Sequence, residues 1–346
     1  MEDGKKLSGI SLAGTILVDV VKTIDYFPPI GALANISKVS QAVGGSVPNT
    51  GIDLAKIDAS LPIKCYGCIG NDAYGDFIVK RLNDHGIDSS GIIYTDELPT
   101  SFSDVMSIPT GERTFFHARG ANSRFSPADI PIKELNCELL HVGYALLLDQ
   151  FDAPDDEYGT VMARFLHDVQ TLGIKTSVDM VSDNSCDYAA MILPILPFCD
   201  YLIINEYECC SIWGLSPSDK NGKSDYAAIR KAMELSISAG VREKVIIHCK
   251  EAGFLLDKTG SFTALPSLDI PGELIKGSVG AGDAFCAGAL YSIYHGYDDA
   301  HLLSFASSAA ACSLFEENSV DGMRDCVHIE DMKNRFKRKN IILSKE

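Results

Sequence analysis

The chain has 346 residues, 46% hydrophobic and 22% charged, an ordinary globular composition with room for one large α/β domain or two smaller ones. A formal net charge of −17 would repel a polyanion over most of the surface, which argues against nucleic acid as a partner. No stretch approaches the roughly 18 apolar residues of a membrane span, and eleven scattered cysteines fit a reducing cytosol better than a disulfide framework. A cytoplasmic protein with no membrane or nucleic-acid partner is therefore expected. It can still bind a nucleotide where backbone amides and a metal ion offset the local charge.

The opening MEDGKKLSGI is too short and polar before its first strand to read as a signal peptide. Residues 16–42, ILVDVVKTIDYFPPIGALANISKVSQA, read as extended or hairpin structure around a Pro-Pro turn. Asp19 lies here, and a lone acid after a strand is ordinarily a turn residue. In VGGSVPN, Gly44 and Gly45 leave room for a ligand against bare backbone, and Asn49 can donate and accept at once, as polyol recognition requires. Pro48 and Asn49 equally suit a helix start. LPIKCYGCIG contains the C-x-x-C pair Cys65 and Cys68, but it reads as a buried strand, and no second pair accompanies it. Residues 92–118, IIYTDELPTSFSDVMSIPTGERTFFHA, read as strands around a PTGER turn. With 16–42 they break the rhythm of the chain and are expected to form a small β-lid.

Elsewhere short β-rich runs alternate with amphipathic ones. ELLHVGYALL precedes GTVMARFLHDVQTLG, and IKTSVDM, YLIINE and KVIIHC follow with helical periodicity between them. Near-continuously apolar strands spaced by helices argue for a mostly parallel sheet covered on both faces. His141, flanked by apolar residues, reads as a satisfied core histidine, and Cys209 and Cys210 as helix packing. Asn205 and Glu208, just past YLIIN, taken alone read as a helix cap and a first-turn acid. The basic tail MKNRFKRKN at 332–340 reads as the solvated face of a final helix, a phosphate or partner patch being the minor reading. No linker divides the chain, so a single domain over 1–346 is expected.

GSVGAGDAF, 277–285, raises the chemical question. Phe285, Ala289, Leu290, Ile293 and Tyr294 follow at helical spacing until Gly296, so a helix begins near Gly280 or Ala281. The first amides of a helix lack internal partners and carry the positive end of its dipole. With Gly280, Ala281 and Gly282 nearly bare, an anion can approach them closely. Asp283 is then either an ordinary first-turn acid or a carboxylate that holds a substrate hydroxyl beside a phosphate. The second arrangement is what phosphoryl transfer needs: positioning, charge stabilisation and an acceptor for the alcohol's proton. GxxxxGK[ST], HRD and DFG are absent, and no GxGxxG opens a helix after a first strand, which weighs against a nicotinamide oxidoreductase.

SVGAGDAFCAG resembles the C-terminal signature DTxGAGDxFxxG of ribokinase-like (PfkB family) carbohydrate kinases. In order along the chain, VGGSVPNTGIDLAKID is similar to the family's GG-x-x-x-N segment, and GCIGNDAYGDFIVKRLNDHGID to its G-x-(I/V)-G-x-D-x-x-G segment. GERTFFHARGAN is similar to its lid strand and loop, and NEYE to its N-x-x-E motif. The resemblance implies a ribokinase-like α/β fold, with a central mostly parallel sheet flanked by helices and a small β-lid. It implies ATP-dependent transfer of the γ-phosphoryl group to a primary hydroxyl of a small sugar. A nucleoside or sugar-acid kinase, or a non-catalytic sugar or nucleotide sensor, are the alternatives. Asp283 would be the base and Gly280, Ala281 and Gly282 the anion hole. Asp19, Gly44, Gly45, Asn49, Arg119 and Asn122 would face the sugar; Asn205, Ser278, Gly253 and Ser307 would lie near ATP; Glu208 would act on Mg²⁺ through water. Arg119 would meet an acidic substrate or the ATP phosphates, an exposed ion pair being the other reading. His117 would face solvent or pack in the lid. The two lid segments would pair between subunits to form a homodimer. Three positions depart from the pattern. Gly277 lacks the acid that in the family helps arrange a monovalent-cation loop, although Ser278 keeps the hydroxyl, so such activation loses its support. Lys250 stands where glycine is common, free to reach phosphates or solvent, and Ser307 stands where Asn or His often lies near adenine.

Overall fold

Among the described residues, 7–108, 112–183 and 186–341, the computed structural model begins with strand β1 (Ile10–Gly14). The chain leaves for β2 (Leu17–Ile24) and β3 (Ile36–Gly44), then returns through helix α1 (Ser46–Ile57) to β4 (Ile63–Gly70). Helix α2 (Ala73–Asp84) leads to β5 (Asp88–Thr95), and a second departure forms β6 (Phe102–Ser107) and β7 (Arg113–Ala118). Alternation follows: β8 (Leu139–Ala145), a short ribbon of β9 (Pro154–Asp155) and β10 (Gly159–Thr160), α3 (Val161–Gln170), β11 (Lys175–Met180), α4 (Tyr188–Ile192), β12 (Tyr201–Asn205) and α5 (Glu206–Ile212). Helix α6 (Tyr226–Ser238), β13 (Lys244–His248) and the hairpin β14 (Ala252–Asp257) to β15 (Phe262–Pro266) complete the sheet. Helices α7 (Ala281–Tyr294), α8 (Asp299–Ser313) and α9 (Cys326–Arg335) close the chain.

Nine strands form the main sheet in the order β15-β14-β13-β12-β11-β8-β1-β4-β5. Pairing is parallel from β5 to β13 and antiparallel through β14 and β15. Alternate residues of one strand enter opposite cores. Leu139, Ile203 and Ile246 join the cluster under α1, α7 and α8, while Leu140, Leu202 and Val245 join the cluster on the other face. Burial on both faces is why these strands read as continuous apolar runs. Helices α7 and α8 approach closely because residue 288 is glycine: a Cβ there would lie 2.8 Å from Ala306 Cα. No helix among the described residues is long and apolar enough to cross a membrane.

The lid is a separate sheet, β3-β2-β6-β7, antiparallel except where β2 and β6 run parallel. Its limits differ from those expected. Residues 92–95 belong to β5, whose parallel register places Gly67 beside Ile92 and Gly70 beside Thr95 on the main sheet. The lid gains residues through Gly44 instead. Residues 109–111 of the PTGER turn lie outside the described residues. The tail also differs: α9 ends at Arg335, and the chain folds back so that Leu268 bridges Arg338. The Arg338 guanidinium donates to Pro266 O at 2.7 Å and Ser304 Oγ at 2.9 Å. Cys65 and Cys68 are buried on β4, Cys209 and Cys210 are buried in α5, and none of the eleven cysteines is paired with another.

Candidate active site

Helix α7 opens on Gly280, whose φ of +78° suits glycine; a Cβ there would also lie 2.5 Å from Ser319 Cβ. No side chain caps this end among the described residues, and the Ala281 amide makes only a 3.4 Å contact with Ser278 O. The turn lies at the carboxyl ends of the parallel strands, where open α/β sheets bind ligands. Ser278, Ala281 and Gly282 line two adjoining cavities, of about 690 and 290 Å³, together with Asn205 and His248.

The larger cavity has apolar walls from Leu268, Ile270, Phe285, Ala310 and Leu314. Ser307 also lines it, and its buried Oγ has no hydrogen-bond partner among the described residues. A cavity with apolar walls, an orphaned hydroxyl and the bare amides of a helix start has the kind of lining that suits a nucleotide. Lys250 and Lys339 line the same cavity, and Lys339 Nζ donates to Lys250 O. Lys339 of the basic tail thus lines a cavity, beyond the helix face on which the tail is mainly expected. Gly253 is buried on β14 opposite His248 and backs the cavity rather than lining it. His248 packs against Phe285 with ring centroids 5.2 Å apart and planes tilted by 40°, and burial lowers its pKa to about 4. A Cβ at residue 282 would come within 3.2 Å of its ring.

Asp283 lies in the first turn of α7 and is 5% exposed. Asn49 Nδ2 donates to Oδ2 at 2.9 Å, and the Tyr144 hydroxyl lies 2.9 Å from both carboxyl oxygens. Burial raises the carboxyl pKa to about 7, with the Asp179 charge adding to it and the Asn49 and Tyr144 bonds opposing. Each partner is itself held. Asn49 Oδ1 accepts from Ser319 Oγ at 2.8 Å, which turns its amide toward Asp283. Tyr144 stands at φ +63° near the end of β8, and its amide donates to Asp179 Oδ1 at 2.6 Å.

Asp19, on β2, extends this group toward the lid. Burial raises its pKa to about 6, opposed by the charge of Arg113, and its own charge acts in turn on Asp283. Gly44, at the end of β3, pairs with Leu17 two residues before Asp19, and a Cβ there would lie 2.5 Å from Asp19 Oδ2. Gly45, at φ +86°, turns the chain into α1 and so brings Asn49 inward. The structure therefore gathers Asp19, Gly44, Gly45, Asn49 and Asp283. Arg119 and Asn122 sit apart from both cavities. Arg119 pairs with Asp149, the ion-pair reading of this residue, and Asn122 is buried with Oδ1 accepting from the Ile16 amide at 3.0 Å. His117 is exposed on lid strand β7, with Nδ1 3.1 Å from Ser103 Oγ.

Asn205 and Glu208 form a reciprocal capping box. Glu208 Oε2 accepts from the Asn205 amide at 2.9 Å, and Asn205 Oδ1 accepts from the Glu208 amide at 2.8 Å. Both residues also line the smaller cavity, where Glu208 Oε1 accepts from Ser182 Oγ at 2.8 Å. Burial raises the Glu208 pKa to about 8. This cluster of oxygen donors is the kind that suits a hard cation such as Mg²⁺.

A family model described as pfkB family carbohydrate kinase matches residues 10–326. The chain belongs to the PfkB family. It is 20% identical to a nucleoside kinase of Methanocaldococcus jannaschii over 85% of this chain and 86% of that one. It is 22% identical to a ribokinase of Schizosaccharomyces pombe over 83% and 85%. In three dimensions it matches Arabidopsis thaliana ribokinase, solved with ribose and ATP, with a TM-score of 0.77 and 19% identity over 94% of this chain and 98% of that one. The ribokinase-like fold is thus established, and the relatives are sugar and nucleoside kinases.

In this PfkB chain, Tyr144, Asp179, His248 and Ser319 are the site residues that pattern reading missed. Asp179 does carry a signal, an acid near the carboxyl end of a strand, in TSVDM. Tyr144 reaches Asp283 from a left-handed backbone conformation that HVGYALL does not announce.

Proposed function

We propose that this PfkB protein transfers the γ-phosphoryl group of ATP to a primary hydroxyl of a small neutral sugar. Asp283 is the general base, and the Gly280–Gly282 turn receives the charge of the transferring group. The observation that carries this reading is a carboxyl 5% exposed, with a pKa of about 7, at the mouth of an uncapped helix. A base poised near neutral pH is well matched to taking a proton from an alcohol during bond formation. The alcohol oxygen bonds to the γ-phosphorus, its proton passes to Asp283, and the bond to the bridging oxygen of ADP breaks. Asn49 and Tyr144 orient the carboxylate by hydrogen bonds, and the Gly280, Ala281 and Gly282 backbone meets the phosphate oxygens.

The larger cavity takes the nucleotide, with Ser307 toward the base and Ser278 toward the phosphates. Glu208, with Asn205 and Ser182, would hold Mg²⁺ through water, and the bound ion supplies charge neutralisation for the phosphates. Asp19 accepts sugar hydroxyls. A neutral acceptor is favoured over a sugar acid because Asp19, Asp179 and Asp283 converge here, while Arg119 is committed to Asp149. The intact base argues against a sensor, which needs none. Pairing of two lids into a dimer is supported by the exposed apolar side chains Ile36, Val39, Phe115 and Phe116. The test is ADP release with MgATP and a panel of neutral sugars, nucleosides and sugar acids. Turnover with a neutral sugar is expected. Binding of sugars with no ADP release from any of them would overturn the reading in favour of a sensor.

A further inference from the structure

We propose that His141, Asp179 and Cys286 form a binding site for a thiophilic divalent cation, Zn²⁺ by its chemistry, beside the catalytic base. The three residues come from β8, β11 and α7, all are buried, and their ligand atoms lie within 4.8 Å of one another. His141 Nε2 is 3.5 Å from Asp179 Oδ2 and 3.7 Å from Cys286 Sγ. Zinc bonds of about 2.0–2.3 Å in a tetrahedral shell place neighbouring ligand atoms about 3.3–3.8 Å apart, so the two edges at His141 already have the required length. The Cys286 contact is a long sulfur hydrogen bond and the Asp179 contact is at the outer limit for N–H···O, so both can give way to an ion held among the three ligand atoms. Ser177 Oγ lies 3.1 Å from His141 Nδ1. That contact fixes the ring and can take the Nδ1 proton, leaving the Nε2 lone pair for a metal, as the outer partners of ligating histidines do.

Charge and access agree with this. A thiolate and a carboxylate neutralise a divalent ion, and the Asp283 carboxylate nearby further favours a cation. Binding exchanges the Cys286 thiol proton for a sulfur–metal bond, the proton leaving to solvent, with no change in oxidation state. Asp179 and Cys286 line the 290 Å³ cavity that Asp283 and Glu208 also line, so an ion can enter there. Three protein ligands leave a fourth position open to that cavity. Sulfur and imidazole select a soft or borderline ion, whereas the oxygens around Glu208 suit Mg²⁺. One cavity thus separates two metals by ligand chemistry. An ion held next to Asp283 obstructs the alcohol and draws on the base, so zinc inhibits. The inhibition rests on the kinase function proposed for this site; the binding does not.

The test is titration of the metal-free full-length protein with Co²⁺ as a spectroscopic probe. Expected are the visible bands of tetrahedral cobalt and a thiolate-to-cobalt charge-transfer band, saturating at one equivalent and displaced by Zn²⁺. The charge-transfer band should vanish in Cys286→Ala, and in Cys286→Ser if the alanine variant folds poorly. No such band in the wild type, or a band unchanged in a folded Cys286 variant, would overturn the site. At constant MgATP, zinc should inhibit the wild type, and the concentration for half inhibition should rise at least about tenfold in the variant, relative to its own zinc-free rate. Stoichiometric binding without inhibition would overturn the regulatory part. A loaded site in a protein that turns over no acceptor would sink the kinase reading and leave the metal site standing.

Discussion

Tyr144 offers one hydroxyl proton to the Asp283 carboxylate, 2.9 Å from each oxygen, so Tyr144→Phe isolates what that proton does to the base. A hydrogen bond to a charged group contributes about 1.5–3 kcal/mol. One pKa unit corresponds to about 1.4 kcal/mol, so losing the bond should raise the Asp283 pKa by about 1–2 units, from its starting value of about 7. The direction follows from the form being stabilised: the hydroxyl favours the ionised carboxylate, and only that form takes a proton. At pH 7 the ionised fraction should fall from about one half to between about one tenth and one hundredth. The variant should therefore lose about 5- to 50-fold in kcat/KM at neutral pH and recover most of it above about pH 9. Phenylalanine keeps the ring, so little else need change. The assay is the pH dependence of kcat/KM for both proteins. An acidic limb at the same pH in both would show that Asp283 is not the titrating base. A loss equal at every pH would show that the hydroxyl acts elsewhere.

Three further expectations rest on the same geometry. Glu208, whose pKa burial raises to about 8, contributes stability that is fully present below the unfolded carboxyl value and lost as pH rises through about 8. Glu208→Gln should therefore gain on the wild type by about 1 kcal/mol between pH 7 and about pH 8.5 in chemical denaturation, and a gap that does not change with pH would contradict the burial argument. Gly44→Ala places a Cβ 2.5 Å from Asp19 Oδ2 and should raise the acceptor KM without changing the ATP KM, by roughly tenfold in steady-state kinetics; an unchanged acceptor KM would remove Asp19 from the sugar site. Asp53 is fully buried in α1, neither carboxyl oxygen has a partner among the described residues, and burial raises its pKa well above the usual range. Asp53→Ala should stabilise the protein at pH 8 by about 1–3 kcal/mol, and a lower unfolding midpoint would show that this carboxyl is satisfied after all.

The parallel sheet was legible because both faces of its strands are covered, which writes continuous apolar runs such as YLIIN into the chain. Strand β5 was harder to place: it sits at the sheet edge, so exposed Tyr94 stands between half-buried Ile93 and buried Thr95 much as in a lid strand. The start of α7 at Ala281 was readable from glycine chemistry and apolar spacing together. Asn205 and Glu208 form the helix cap and first-turn acid that local spacing suggests, and the same capping box also faces the smaller cavity. What stayed hidden depends on partners far away in sequence. Arg119 meets Asp149, Asn122 meets Ile16, and Asn49 is oriented by Ser319, contacts that no local spacing encodes. The tail reaches the larger cavity through Lys339, next to the bridge that Leu268 and Arg338 form after α9 has ended.

Asp283→Asn, followed in a single-turnover assay with MgATP and the best acceptor from the panel, bears most directly on the assignment of the base. ATP and acceptor should still bind, by calorimetry, with affinities close to wild type, while the rate of phosphoryl transfer falls about 10²- to 10⁴-fold. A transfer rate within a few-fold of wild type, with binding intact, would contradict the assignment of Asp283 as the proton acceptor.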